Sequence, residues 1–144
     1  MKTLKPLAAI SAIAGAFLSG CLNFTPPASA AEAHGLTLAA KSSAHVQVNG
    51  PRLQMNQGNL ELAGSIAKKP WASTTAFSHL DILFCDASGR IVQTKPIRFM
   101  PRSVGLSRFG SRLGYYALAL EPLPKGTARI EVDAHDGDIA APHG

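Results

Sequence analysis

The sequence predicts an all-β fold, an antiparallel sandwich or barrel of six or seven short strands. Three observations support this prediction. Apolar and polar residues alternate over short segments, as they do in half-buried strands. Turn-forming residues separate these segments at regular intervals. Between them, no segment shows the spacing of apolar residues that is typical of an amphipathic helix.

The first two predicted strands precede a connection that is rich in Lys and Pro. His45–Val48 alternates and ends at residues 49–51, Asn-Gly-Pro, which we interpret as a turn. Asn59–Ile66 places Leu60 and Leu62 on one face of the next strand. The connection that follows contains Trp71, so the Cys…Trp…Cys pattern of antibody domains is absent.

The middle of the chain predicts a β-hairpin. Ser78–Cys85 directs Leu80, Ile82 and Phe84 to one face. Residues 86–89, Asp-Ala-Ser-Gly, form a turn, and Arg90–Thr94 returns as the partner strand. We expect residues 95–100 to continue this strand past Pro96, as at a sheet edge or a bulge.

Two further strands complete the predicted domain. Gly114–Leu120 directs Tyr116, Leu118 and Leu120 inward. Residues 122–126 form a Pro- and Gly-containing turn, and Thr127–Val132 then directs Ala128, Ile130 and Val132 inward.

The N-terminus predicts export. Lys2 and Lys5 precede an uncharged apolar segment, residues 6–20, which is too short for a membrane-spanning helix of about 20 residues. Residues 18–21, Leu-Ser-Gly-Cys, resemble the lipobox of bacterial lipoproteins, which implies cleavage before Cys21 and acylation of its sulfur with palmitate. Leu22 follows instead of Asp, which by the same resemblance implies sorting to the outer membrane.

A second cleavage site stays open. Residues 28–30, Ala-Ser-Ala, match an ordinary signal-peptidase site, and cleavage after Ala30 leaves a soluble periplasmic or secreted protein. The apolar segment ends at Cys21, which favours the lipobox. We therefore expect a signal peptide at 1–20, a lipidated Cys and flexible tether at 21–43, a β-sandwich domain at 44–136 and a disordered tail at 137–144.

Composition fits one domain and argues against nucleic-acid binding. The 144-residue chain carries a net charge of +5, and removing Lys2 and Lys5 leaves twelve basic and nine acidic residues, a net charge of +3. No run of basic residues is longer than Lys68-Lys69. If Cys21 is lipidated, Cys85 has no partner within the chain. It is then a small buried hydrophobe, or alternatively a reactive thiol or one half of an intermolecular disulfide.

Residues 59–133 resemble, in layout, small immunoglobulin-like domains of the FxLYD type found in bacterial exported proteins. The resemblance lies in an apolar strand that ends in Asp, residues 82–86, followed by Gly89. Ile, Phe and Cys stand there in place of the Phe, Leu and Tyr that name the family. Residues 78–82 and 86–89 also resemble strands of uncharacterised proteobacterial lipoproteins. The resemblance implies an immunoglobulin-like sandwich of about seven strands and brings no catalytic residue or cofactor.

The candidate metal ligands are clustered near the C-terminus, at Asp133, His135, Asp136 and Asp138. In an extended segment Asp133 and His135 share a face, where they are able to hold a divalent ion. The alternative is a solvated turn. His79 and Asp81 lie two residues apart on the polar face of their strand, where we expect them to face solvent. No Gly-x-Ser-x-Gly motif occurs, so we expect no enzyme activity.

A basic segment is the candidate contact surface. Lys95, Arg98, Arg102, Arg108 and Arg112 fall within one long connection and are suited to an acidic partner or an anionic membrane surface. The alternative is a solvated loop. The sequence thus predicts a non-enzymatic, membrane-anchored envelope lipoprotein that acts as an interaction or assembly module. A periplasmic protein that binds a metal or a small ligand is the second hypothesis.

Overall fold

The computed structural model describes residues 34–105, 112–137 and 139. Seven strands and no helix occur in this part of the chain, which confirms the predicted all-β fold. The strands are β1 (Thr37–Lys41), β2 (Val46–Asn56), β3 (Asn59–Lys68), β4 (Ser78–Cys85), β5 (Ile91–Ile97), β6 (Leu113–Ala119) and β7 (Arg129–Asp136). Accordingly, none of the described residues belongs to a helix that could cross a membrane.

The strands form two sheets that pack as a sandwich. The four-stranded sheet has the order β1-β7-β4-β5, and the three-stranded sheet has the order β2-β3-β6. All pairs are antiparallel except β1 with β7, which is parallel. β1 packs against β2 and so joins the sheets along one side. The immunoglobulin-like connectivity stays a prediction.

The core lies between the sheets and follows the alternation of the sequence. Leu62, Ile66, Leu80, Ile82 and Ile130 are each completely buried. They come from β3, β4 and β7, the strands that have neighbours on both sides. Burial of each such side chain contributes about 1.5–3 kcal/mol, which fixes the register of these strands.

β2 differs from its prediction. The strand runs through residues 49–51, which we interpreted as a turn, and continues to Asn56. The register shifts between Asn49 and Arg52, so Gly50 and Pro51 form a bulge. An edge strand accommodates a proline in this way because its outer side has no ladder to break. The chain turns instead at Gln57 and Gly58, where φ is 50° and 85°.

The folded region also begins earlier than the expected boundary at residue 44. β1 lies within the segment that we assigned to the flexible tether, and it pairs with β7 from Thr37 to Lys41. The tether prediction is therefore wrong for these residues. Alternation is weak in this short Ala-rich strand: Thr37, Ala40 and Lys41 are exposed, and Leu38 and Ala39 are only half-buried.

The strand directions define two ends of the sandwich. The proximal end holds the start of β1, the β2–β3 turn and the β4–β5 turn. The distal end holds the end of β7, the start of β4, and the β3–β4 and β5–β6 connections. The described chain therefore begins at the proximal end, and the two long connections lie at the opposite end.

Candidate functional site

Trp71 lies in the β3–β4 connection at the distal end, and its ring is 73% exposed. The indole N–H donates a hydrogen bond of 2.9 Å to the carbonyl of Ala44. Lys69 Nζ lies 5.6 Å from the centre of the ring and donates a 2.6 Å hydrogen bond to the carbonyl of Ser43. These contacts fix the orientation of the ring while its surface stays open to solvent.

A buried hydroxyl holds the two distal connections together. Thr75, 1% exposed, donates to the carbonyl of Arg102 over 3.0 Å and accepts from the N–H of Val104 over 2.9 Å. Phe99 and Val104, in the same β5–β6 connection, are buried in the core. The β3–β4 connection and the described part of the β5–β6 connection therefore form one supported surface.

Exposed apolar side chains concentrate at this end. Four of the seven large apolar residues that are exposed in the described chain lie here: Trp71 (73%), Phe77 (65%), Met100 (67%) and Tyr115 (57%). Met100 and Tyr115 face each other across a backbone bridge with two hydrogen bonds of 2.8 Å. Clustered exposure of this kind marks contact surfaces more often than scattered single residues do.

Basic residues lie at the same end of the sandwich as these apolar residues. Three members of the predicted basic set, Arg98, Arg102 and Arg112, are exposed at the distal end. Lys68, the last residue of β3, and Lys69, the first residue of the β3–β4 connection, are half-buried at the same end. We refer to these five cations with Trp71, Phe77, Met100 and Tyr115 as the basic–apolar end.

One described member of the predicted set, Lys95, does not belong to this surface. Lys95 is in mid-strand on β5, opposite Ile82. Arg108 lies outside the described residues. The sequence therefore located the surface only in part. Residues close in sequence along an extended strand lie far apart in space, so Lys95 is too far from the end of β5 to reach the surface.

Asp136 is the carboxylate of the distal end, and local groups already bind it. Its oxygens accept hydrogen bonds from Ser43 Oγ (2.6 Å), from the N–H of His45 (3.1 Å) and from Ser78 Oγ (3.3 Å). The Nδ1 atom of His45 lies 3.4 Å away. Both serine hydroxyls thus bind the carboxylate. Asp136 ties the segment before β2 to the four-stranded sheet.

His79 and Asp81 are buried, so the prediction that they face solvent is wrong. Their exposed fractions are 2% and 4%. His79 lies opposite His135, with stacked rings 5.4 Å apart, and its Nδ1 is 2.7 Å from the carbonyl of Gly137. The residue after β7 thus covers His79, which alternation along β4 alone does not show.

Carboxylates and imidazole rings alternate within this outer cluster of the four-stranded sheet. Asp81 lies opposite Asp133 in the register. His135 Nε2 is 3.6 Å from a carboxylate oxygen of each, and His79 Nε2 is 3.6 Å from the other oxygen of Asp81. Lys41 on β1 adds an ion pair of 3.2 Å to Asp133. His135 therefore lies between the two carboxylates, and Lys41 pairs with Asp133 at the side of β1.

The structure does not bring the candidate metal ligands together. Asp133 and His135 point to the outer face of the sheet, whereas Asp136 points the other way, towards Ser43 and Ser78. Asp138 lies outside the described residues. In residues 34–105, 112–137 and 139, no group of three or more His, Cys, Asp or Glu is arranged to hold a metal ion.

A cleft of about 230 Å³ opens between β5 and the segment that follows β6. Lys95 and Glu121 line it with opposite charges, beside Phe84 and Leu120. Pockets for drug-sized ligands measure about 300–1,000 Å³, so this cleft suits only a small molecule.

Cys85 is 4% exposed and free, and it lies opposite Arg129 on β7. Its burial supports the interpretation as a small hydrophobe. The alternatives of a reactive thiol or an intermolecular disulfide stay untested. Cys21 lies outside the described residues.

Comparison of the chain with protein-family models, with curated proteins and with solved structures gave no match. The fold and the site define the protein as an all-β sandwich with a basic–apolar end. The resemblance to FxLYD-type domains and to proteobacterial lipoproteins stays a prediction.

Proposed function

We propose that the chain is the precursor of a non-enzymatic, membrane-anchored envelope lipoprotein whose sandwich acts as an interaction module. The basic–apolar end is its contact surface. The observation that supports this most directly is the position of Trp71, Phe77 and Met100, each more than 60% exposed on connections that the fold holds in place.

The direction of the chain adds a geometric argument. The described chain begins at the proximal end, so a lipid on Cys21 would attach the domain from that side. The basic–apolar end lies at the opposite end of the sandwich. A surface separated from the attachment point in this way stays open for a second contact, with a partner or with lipid, while the lipid holds the protein in its membrane.

The polar clusters support a binding role more than a catalytic one. Ser43 donates to Asp136 and accepts from the N–H of Val46, and Ser78 also donates to Asp136, so both hydroxyls serve as local structural contacts. His79 and Asp81 are closed off from solvent. Both clusters instead connect strands, as expected of polar groups that stabilise a fold.

Occupancy of the basic–apolar end is tested by thiol protection. Phe77→Cys and Gln57→Cys each introduce an exposed thiol, at the distal and the proximal end respectively. In isolated envelopes we expect a membrane-impermeant maleimide to label Cys at 57 and not Cys at 77, whereas both react in the purified protein. Equal labelling of both positions in the envelope would contradict an occupied distal end.

The lipid anchor has its own test. We expect Cys21→Ser to leave the membrane fraction and to keep an unprocessed N-terminus. If the variant stays in the membrane fraction at its normal processed size, the lipoprotein assignment fails and cleavage after Ala30 becomes the better explanation.

A further inference from the structure

The apolar side chains of the basic–apolar end stand on separate segments, and cations accompany them. Trp71 and Phe77 belong to the β3–β4 connection, Met100 to the β5–β6 connection and Tyr115 to the start of β6. Lys69 Nζ lies 5.6 Å from the Trp71 ring. Arg98 and Arg102 each lie two residues from Met100. The β3–β4 and β5–β6 connections therefore each present an exposed apolar group with a positive charge nearby.

This combination fits the interfacial region of a lipid bilayer. Trp and Tyr rings settle at the level of the headgroups, where a polar and an apolar environment meet. Lysine and arginine place their charges near lipid phosphates while their apolar stems stay in contact with the chains. A planar surface is able to touch the tips of several connections at one end of a sandwich at once.

We propose that the basic–apolar end docks onto an anionic lipid bilayer. Trp71, Phe77 and Met100 enter the interfacial region, and the surrounding cations face the lipid phosphates. This inference rests on the proposed function, because it names the chemistry of the surface that the contact end meets.

The local hydrogen bonds favour lipid over an acidic protein segment as the occupant. The indole N–H of Trp71 already donates to Ala44, and the ammonium of Lys68 donates to the carbonyl of Ala72 over 2.6 Å. What these residues still offer is apolar ring surface and net charge. A bilayer interface uses both without further directional hydrogen bonds, whereas a protein partner usually adds about one hydrogen bond per 100–200 Å².

Trp71 is the only tryptophan of the chain, so its fluorescence reports this contact directly. We would mix the full chain carrying Cys21→Ser with vesicles of phosphatidylcholine alone or with added phosphatidylglycerol. On the anionic vesicles we expect a blue shift of the emission and quenching by lipids with brominated acyl chains. The apolar segment of residues 6–20 contains no tryptophan, so insertion of that segment into vesicles would not itself shift the emission.

Charge variants test the electrostatic part. Arg102→Glu is expected to lower the partition onto anionic vesicles by at least about fivefold, since one cation near such a membrane is worth roughly that factor. Lys125→Glu makes the same charge change in an exposed turn at the proximal end and should leave the partition within twofold. Equal effects of the two variants would contradict docking through the distal end.

Phe77→Ser tests the apolar part without risk to the core, because the Phe77 ring is 65% exposed. We expect weaker quenching by brominated lipid with an unchanged emission spectrum of the free protein. An unchanged Trp71 emission on anionic vesicles would overturn the lipid proposal. If the thiol at position 77 is nevertheless protected in the envelope, the occupant is a protein and the proposed function survives. If it is also labelled freely there, both proposals fail.

Discussion

Tyr116 on β6 lies directly opposite Gly64 on β3, and its phenol ring occupies the space that a Cβ at position 64 would need. The ring is buried within the core, with an exposed fraction of 4%. Only glycine leaves room for the ring, so the smallest residue pairs with a large one across the two strands. The pair lies in the three-stranded sheet, next to the bulge of β2.

Gly64→Ala is expected to destabilise the domain by about 1–3 kcal/mol, because the new methyl group would collide with the Tyr116 hydroxyl and force the ring to move. Gly50→Ala is the matched control, since a Cβ there meets no atom within 4 Å. Urea denaturation measures both. Equal urea midpoints for Gly64→Ala and the wild type would show that the Tyr116 ring moves aside at no cost in stability.

Alkaline conditions should weaken the fold through Tyr116. Burial raises the pKa of its phenol from 10.0 to about 12, and the nearby charge of Arg52 offsets this only in part. Because the folded pKa is above the unfolded one, the stabilisation is complete below pH 10 and is lost as the pH rises towards 12. Tyr116→Phe is expected to remove this loss.

Tyr116→Phe should have little effect on the free energy of unfolding at neutral pH. The Tyr116 hydroxyl makes no hydrogen bond to the described residues, so Phe removes a buried polar atom without leaving a partner unsatisfied. We expect the free energy of unfolding at pH 7 to change by less than about 1 kcal/mol. A loss of several kcal/mol in thermal or urea denaturation would mean that the hydroxyl has a partner.

The β4–β5 turn should give the fold an acid-sensitive element at Asp86. Its carboxylate accepts hydrogen bonds from Ser88 Oγ (2.5 Å), from the N–H groups of Ser88 (2.9 Å) and Arg90 (3.0 Å), and from Arg90 Nε (3.1 Å). These contacts, the Ser88 hydroxyl first, lower the pKa of Asp86 from 3.8 to about 2.

A lowered folded pKa means that this stabilisation is present above pH 3.8 and is lost as the pH falls towards 2. Asp86→Asn is therefore expected to be less stable than the wild type at pH 6 and equally stable near pH 2. Urea midpoints measured across this range check the prediction. If the stability difference between Asp86→Asn and the wild type were the same at every pH, the effect would come from hydrogen-bond geometry and not from the charge of the carboxylate.

Thr75 should stabilise both the domain and the β5–β6 connection at the basic–apolar end. Thr75→Val keeps the volume but leaves the N–H of Val104 and the carbonyl of Arg102 without this partner. We expect a loss of about 1–3 kcal/mol and faster proteolysis after Arg102. Thr94→Val, on the exposed strand β5, is the control and should behave as wild type. Equal proteolysis rates would show that Thr75 does not support the connection.

The sequence predicted the two-sheet core well because each inner strand alternates with period two. Leu80, Ile82 and Phe84 point inward as expected. It failed where partners from distant segments decide burial. His79 and Asp81 follow the same alternation as solvent-facing residues, but the strand opposite and Gly137 enclose them.

The candidate site, too, was predicted from the sequence only in part. Arg98, Arg102 and Arg112 were identified by their density along the chain, and they do lie at one end. Trp71, Phe77 and Met100 were missed as members of the surface, because the sequence does not show whether a single apolar residue in a connection is buried or exposed. A tryptophan between lysines and small polar residues, in Lys-Lys-Pro-Trp-Ala-Ser, was the one available signal.

Site-specific photocrosslinking in intact cells tests the central claim most directly, namely that the basic–apolar end is the contact surface of the protein. A photoreactive residue placed at position 77 is expected to give specific crosslinks to lipid or to a partner. The same residue at position 57, exposed at the proximal end, should give none or far weaker ones. Crosslinks of equal strength from both positions, or from position 57 alone, would contradict the account.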